Sequence, residues 1–144
     1  MLCFNALFEP DTEKGGFVVT FPDFAWGVTQ GDTEAEAAAM AVDALSMIVG
    51  DYIEHGKELP RPRRLRGSKY RLIQLPALQS AKAELYMAFR ASGIRKTELG
   101  RRLGIPKTTV DRLFDFKNST RLEQLEIAFA ALGKRLAVEV KDAA

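Results

Sequence analysis

Nineteen consecutive residues, Lys96 to Phe114 (K-T-E-L-G-R-R-L-G-I-P-K-T-T-V-D-R-L-F), constrain the fold more than any other stretch. They read as two short helices joined by a tight turn, with polar side chains at the start of the second. Thr97 is placed to N-cap the first helix, and Glu98 sits at the positive end of its dipole. Leu99 and Leu103, four apart, share a face. Gly100 falls where the helices must approach closely. Gly104 falls in the turn, where glycine takes a positive φ without strain. Ile105 returns to the core, Pro106 suits the first turn of the next helix, and Val110 and Leu113 supply its buried face. This is the layout of a helix-turn-helix. The competing reading is a structural helical hairpin that touches no DNA.

Upstream, Leu2–Phe8 and Phe17–Phe21 alternate in polarity across the turn residues Glu9 to Gly16, which predicts an antiparallel hairpin. A third strand is expected over Phe24–Thr29, broken near Gly27. Thr33 and Glu36 have capping-box spacing. A long helix should follow from Glu34 to about His55, with Ala38, Ala41, Val42, Leu45, Ile48, Val49 and Tyr52 inward. Leu59-Pro60-Arg61-Pro62 cannot continue it. Tyr70–Leu75 reads as a fourth strand returning beside the first. Pro76 then opens a second unit: a helix over Leu78–Ser92, the paired helices, and a helix over Leu122–Leu132 that buries Leu122, Leu125, Phe129, Leu132 and either Ile127 or Ala128. Leu136, Val138 and Val140 alternate with polar residues as a last strand. The predicted fold is α+β. A small antiparallel sheet with one long helix (β-β-β-α-β) occupies residues 1–75, and an all-helical unit ending in a strand occupies 76–144. A last strand without a partner invites pairing, and helix-turn-helix proteins usually read palindromic half-sites as dimers. A homodimer with two such strands paired is expected.

Charge divides the chain. Residues 1–60 hold two Lys/Arg against eleven Asp/Glu, a net of −9; residues 61–144 hold nineteen against eight, a net of +11. The basic half suits a phosphate backbone, and the acidic half suits a basic protein. The single cysteine, Cys3, allows no internal disulfide and fits a reducing cytosol. No apolar run approaches the ~20 residues of a membrane span, and the first residues lack the basic flank of a signal peptide. A cytoplasmic protein with no membrane partner is expected.

Lys107, Thr108 and Thr109 stand exposed at the start of the second helix of the pair, with Asp111 and Arg112 on its outer side. Threonine can meet a base edge or a thymine methyl, and lysine or arginine can take guanine O6/N7. Arg95, Lys96, Arg101, Arg102, Lys117 and Arg121 are candidates for phosphate. Arg112 has a competing reading as an ion-pair partner of Asp111, Asp115 or Glu98. Arg61–Arg66 reads as a solvated linker or an additional phosphate grip. Nothing points to catalysis. His55, the only histidine, lies at a helix end, and no Cys/His cluster has metal-ligand spacing. Lys14-Gly15-Gly16 is too short for a phosphate loop; Asp11, Asp23, Asp32 and Asp43 could supply a two-metal nuclease site, but three of the four occupy turns or caps, where aspartate serves the backbone. No enzyme, metal or cofactor is expected.

Two segments together resemble the HicB antitoxin family in its version with a C-terminal helix-turn-helix. One is F-V-V-T-F-P-D-F-A-W-G-V-T-Q-G-D-T-E-A-E-A, with Pro22, Asp23, Gly27, Thr29, Gly31, Asp32 and Thr33 at the family's positions and Ala25-Trp26 in place of an expected Pro-Gly. The other runs through E-L-G-R-R-L-G-I-P-K-T-T-V-D-R-L to L-E-I-A-F-A-A-L-G-K-R-L, with Gly100 where an alanine is more usual. The resemblance implies a reduced ribonuclease H-like first unit, without nuclease chemistry, that blocks a small basic HicA-like toxin which cleaves mRNA. It implies a second unit that binds operator DNA and represses its own operon, as a homodimer or a higher oligomer with toxin. Asp23, Phe24 and Trp26 are the candidate toxin contacts, with core packing the preferred reading for Phe24 and Trp26. The rival function is a stand-alone transcription regulator whose first unit senses a small ligand.

Overall fold

The computed structural model describes residues 2–143. Strands β1 (Cys3–Pro10), β2 (Phe17–Thr20), β3 (Val28–Gly31) and β4 (Tyr70–Gln74) form one antiparallel sheet in the order β3-β2-β1-β4. Alternation along β1 sends Phe4, Ala6 and Phe8 to one face, and register sets Ile73 beside Phe4 and Val19 beside Phe8. All five side chains are buried. Helix α1 (Glu34–Glu54) covers that face with Ala37, Ala41, Leu45, Ile48, Val49 and Ile53. The predicted stripe is therefore rotated slightly: Ala38, Val42 and Tyr52 are only partly buried. Thr33 Oγ1 accepts the Glu36 amide at 3.1 Å, as its spacing predicted. The first turn of α1 lies so close to β3 that a Cβ on Gly31 would stand 2.4 Å from the Ala37 nitrogen.

The third strand differs from expectation. It starts at Val28, and residues 24–26 form bends instead. Phe24 is the reason: its ring is buried edge-on against Phe4 (centroids 4.8 Å apart) and Tyr52 (5.2 Å), which turns the chain into the core. Gly27 then passes tightly over Ile48, with φ +116°.

Four helices follow: α2 (Ala77–Ser92), α3 (Lys96–Leu103), α4 (Lys107–Phe114) and α5 (Leu122–Ala131). Helix α2 buries Leu85, Tyr86 and Phe89 but also Ser80 and Lys82. Helix α5 buries Leu125, Ala128 and Phe129, while Leu122 and Ile127, expected inside or as an alternative, are exposed. Residues 134–143 form no strand within the single chain; Leu136 packs against the core, and Val138 and Val140 face outward. The buried side chains of sheet and helices make one contiguous core. Polar ties cross between them: Leu2 N donates to Ser80 Oγ (2.7 Å), Ser46 Oγ to Gln79 Oε1 (2.6 Å), and Tyr86 Oη to the Lys57 carbonyl (2.8 Å).

Charge is less polarised than the cut at residue 60 suggests, because the sheet does not close until β4. Residues 1–75 hold eight Lys/Arg and eleven Asp/Glu, a net of −3; residues 76–144 hold thirteen and eight, a net of +5. Two of the added arginines are paired with carboxylates of the same unit: Arg63 with Asp23, and Arg71 with Glu34 at 2.7 Å.

Candidate nucleic-acid interface

The α3–α4 pair is built on a close approach and a turn. A Cβ on Gly100 would stand 2.7 Å from the Ile105 carbonyl oxygen, so only a residue without one fits without displacement. Gly104 caps α3 at φ +68°, and the Ile105 amide donates to the Gly100 carbonyl at 2.9 Å. Leu99, Val110, Leu113 and Phe114 are buried, and the Phe114 ring meets Tyr86 and Phe89 of α2. The helix ends are not capped as expected. Arg95 stands at the N-cap of α3 with no side-chain cap bond, and Thr97 lies one turn position inside. Pro106 is the N-cap of α4 rather than its first residue.

The charged candidates fall into a held group and an unheld group. Glu98 takes both neighbouring arginines: its carboxylate lies 2.7 Å from Arg101 Nη2 and 3.1 Å from Arg102 Nε. Those bonds pull the Glu98 carboxyl down to about 2. Arg102 also donates to the Ala131 carbonyl at 3.0 Å. Asp111 takes two lysines, Lys96 at 2.7 Å and Lys107 at 3.4 Å, and the Lys96 bond holds its carboxyl below the usual range. Both carboxylates are thereby engaged. Arg112, for which an ion pair was the competing reading, makes none among the described residues. It is exposed, as are Arg95, Thr108, Lys117 and Arg121; Thr109 is half-buried.

Beside α4 runs a cleft of about 680 Å³ in which Asp51 and Glu54 of α1 share the walls with Lys96, Lys107 and Lys117. Acidic groups thus flank the lysine side of α4, whereas Thr108 and Arg112 do not line the cleft. These two, one turn apart on the helix, are both exposed.

Sequence reasoning overlooked Lys82. Its side chain is fully buried, and its Nζ donates to the carbonyls of Arg112 (2.9 Å), Asp115 (2.8 Å) and Asn118 (2.7 Å). Burial pushes the ammonium below its ordinary range, with Asp115 opposing. A signal was present: Leu78, Lys82, Leu85, Tyr86 and Phe89 occupy helical spacing, which puts a lysine in the middle of an apolar stripe.

The three candidate toxin contacts have different surroundings. The Asp23 side chain is 2% exposed and bound to Arg63 Nε, and Arg63 Nη2 also donates to the Pro22 carbonyl at 3.0 Å. Phe24 is in the core. Trp26 is 44% exposed. Of the aspartates in turns, Asp11 serves the backbone: its Oδ1 accepts the amides of Glu13 and Lys14. His55 Nδ1 lies 2.9 Å from the Asp51 carbonyl oxygen at the end of α1. Among the described residues no helix is long and apolar enough to cross a membrane.

The fold defines the class as a small α+β protein in which a four-stranded antiparallel sheet, backed by one long helix, is joined to four short helices. Residues 3–84 match the family described as the HicB-like antitoxin of bacterial toxin–antitoxin systems. Similar proteins include Antitoxin HicB of Escherichia coli K12, 37% identical over 87% of this chain and 90% of the relative. Antitoxin HicB of Pseudomonas fluorescens Pf0-1 is 35% identical over 97% and 96%. Antitoxin HicB 1 of Photorhabdus laumondii is 35% identical over 92% and 83%. A toxin–antitoxin complex from Streptococcus pneumoniae contains a chain with a TM-score of 0.46 and 25% identity, over 75% of this chain and 92% of that one. The protein belongs to the HicB-like antitoxin family. Members are regulatory proteins, and this chain is not an enzyme.

Proposed function

We propose that the protein is an antitoxin that binds and neutralises a small basic, HicA-like mRNA-cleaving toxin through residues 1–75. In the same reading, residues 76–144 repress its own operon by binding operator DNA. The carrying observation is the family match over residues 3–84, joined to relatives named Antitoxin HicB that align along most of the chain. The first unit is read as a reduced ribonuclease H-like domain that serves as a docking surface, with Trp26 as an anchor whose loop is held in shape by Asp23 and Phe24.

The DNA arm rests on the α3–α4 geometry, read as a helix-turn-helix. Thr108 and Arg112, flanked by Lys107 and Thr109, read bases. Arg95, Lys117 and Arg121 meet phosphates, with Lys96, Arg101 and Arg102 recruited when DNA competes with Asp111 and Glu98. The active unit is a homodimer joined through residues 134–143, or a higher oligomer with toxin. The test is co-expression with the neighbouring reading frame for a short basic protein. Rescue of growth, co-purification and retardation of the upstream DNA are expected. A neighbour that remains toxic and does not co-purify would sink the antitoxin arm; upstream DNA that is not retarded would sink the repressor arm.

A further inference from the structure

We infer that Lys82 is the positioning residue of the DNA-reading helix: a buried ammonium on α2 that clamps the far end of α4 and the turn after it. This rests on the reading of α4 as the operator-binding helix. Every helix but one ends at a glycine of positive φ: Gly56 after α1, Gly93 after α2, Gly104 after α3 and Gly133 after α5. Helix α4 ends at Asp115 in extended conformation, with φ −78° and ψ 116°. It has no left-handed cap to satisfy its last carbonyls, which an α-helix leaves without partners. Lys82 supplies the partner from another helix. An ammonium has three hydrogens, and the carbonyls of Arg112, Asp115 and Asn118 lie at 2.9, 2.8 and 2.7 Å, so each has its own acceptor. The positive charge also meets the negative end of the α4 dipole.

The grip reaches the candidate DNA contacts. Arg112 carries both a clamped carbonyl and an outward guanidinium. Asp115 carries a clamped carbonyl and a carboxylate that accepts the Lys117 amide at 2.9 Å. The Asn118 amide donates to the Asp115 carbonyl at 3.1 Å. Arg112 and Lys117 therefore hang on the group of carbonyls that Lys82 holds. Helix α2 is itself tied to the sheet through Ser80 and to α1 through Gln79. The aim of α4 is thus set by the body of the protein and not by its own turn.

The test uses the full-length protein, the DNA upstream of its gene, and Lys82→Met, which keeps the length of the stem and removes the charge and donors. Operator affinity should fall by roughly tenfold or more, the scale of one or two misplaced base contacts. Amide exchange should accelerate at 112–119 and stay unchanged in β1 and α1. A purely space-filling lysine would lose neither selectively. Should Lys82→Met not fold, Lys82→Cys in a Cys3→Ser background is alkylated while unfolded and then refolded. Aminoethylation restores an ammonium of nearly the original length, and carbamidomethylation leaves a neutral amide. The inference requires the aminoethyl form alone to regain operator binding. It is overturned if folded Lys82→Met binds within about twofold of wild type, well under the cost of one lost contact, or if both alkylated forms bind alike. Wild-type protein that does not bind the DNA overturns the operator reading and this inference with it; bound wild type with an indifferent Lys82→Met overturns this inference alone.

Discussion

The carboxylate of Asp23 is shut inside the fold and met there by the guanidinium of Arg63, forty residues along the chain. The same arginine also donates to the Pro22 carbonyl, so the loop that presents Trp26 is held from one side chain. The two partners are unequal, because Asp23 is buried while Arg63 is half in water. Arg63→Ala strands a buried charge and should cost roughly 2–3 kcal/mol, below the full cost of a wholly buried pair because water reaches the arginine side. Asp23→Asn leaves a neutral acceptor and a solvated arginine, and should cost less than half as much. Urea denaturation of both variants measures the asymmetry; equal losses would contradict it.

Gly31→Ala should be among the most destabilising single-methyl changes. The new carbon would press on backbone atoms at the start of α1, and neither side can yield by rotating a side chain. A loss of about 3 kcal/mol is expected, at the upper end for overpacking. It should appear as a lower denaturation midpoint with the slope unchanged.

On the operator, Thr108→Ala and Arg112→Ala should each cost ~1–3 kcal/mol of specific affinity per lost base contact, with toxin binding intact. Asp111→Asn should act in the opposite sense on non-specific binding. It frees Lys96 and Lys107, so the salt dependence steepens by about one unit for each lysine that reaches a phosphate. Titrations at several salt concentrations separate the two effects, and loss of toxin binding in any of these variants would break the proposed division of labour.

The Glu98 carboxyl should titrate with a midpoint at about 2. Its folded value lies below the unfolded 4.5. The pairing with Arg101 and Arg102 therefore stabilises fully above 4.5 and is lost as pH falls from there through about 2. Carboxyl NMR reads the midpoint directly, and Glu98→Gln should flatten the acid limb of the stability curve.

Val138 and Val140 are 70% and 93% exposed. Replacing both with arginine should convert the proposed dimer to monomer in sedimentation velocity while leaving the unfolding transition in place. A wild-type protein that sediments as a monomer would remove the proposed strand pairing.

Local chemistry made much of the architecture legible before any coordinates. Alternation marked β1 and β2, Thr33 and Glu36 marked the start of α1, and Gly100 and Gly104 marked the close approach and the turn. What escaped depends on contacts distant in the chain. Phe24 looked like part of a strand because nothing local says that Tyr52 lies over it. Asp23 read as a turn aspartate and a toxin contact because nothing local places Arg63, forty residues on, beside it. The charge contrast was drawn at residue 60, whereas the last strand of the sheet ends at Gln74, and arginines in between belong to the acidic unit. Thr97 resembled a cap because its residue type is right; the cap position lies two residues earlier, at Arg95. Among the candidate contacts, the sequence favoured Lys107 and gave Arg112 a competing ion-pair reading; Asp111 and Glu98, by taking other partners, leave Arg112 open.

The pairing of β1 with β4 has a consequence in time. The start of the chain is secured by its middle: the Leu75 amide donates to the Leu2 carbonyl, and the Leu2 amide to Ser80. A chain growing from the ribosome at ~5–20 residues per second exposes β1 and β2 before β4 and must carry them without that neighbour until the residues through Gln74 have been made. The sheet matures only after the beginning of α2 has emerged. A messenger truncated before that point yields a fragment whose first strand has an open edge, a substrate for proteases rather than a restraint on any partner.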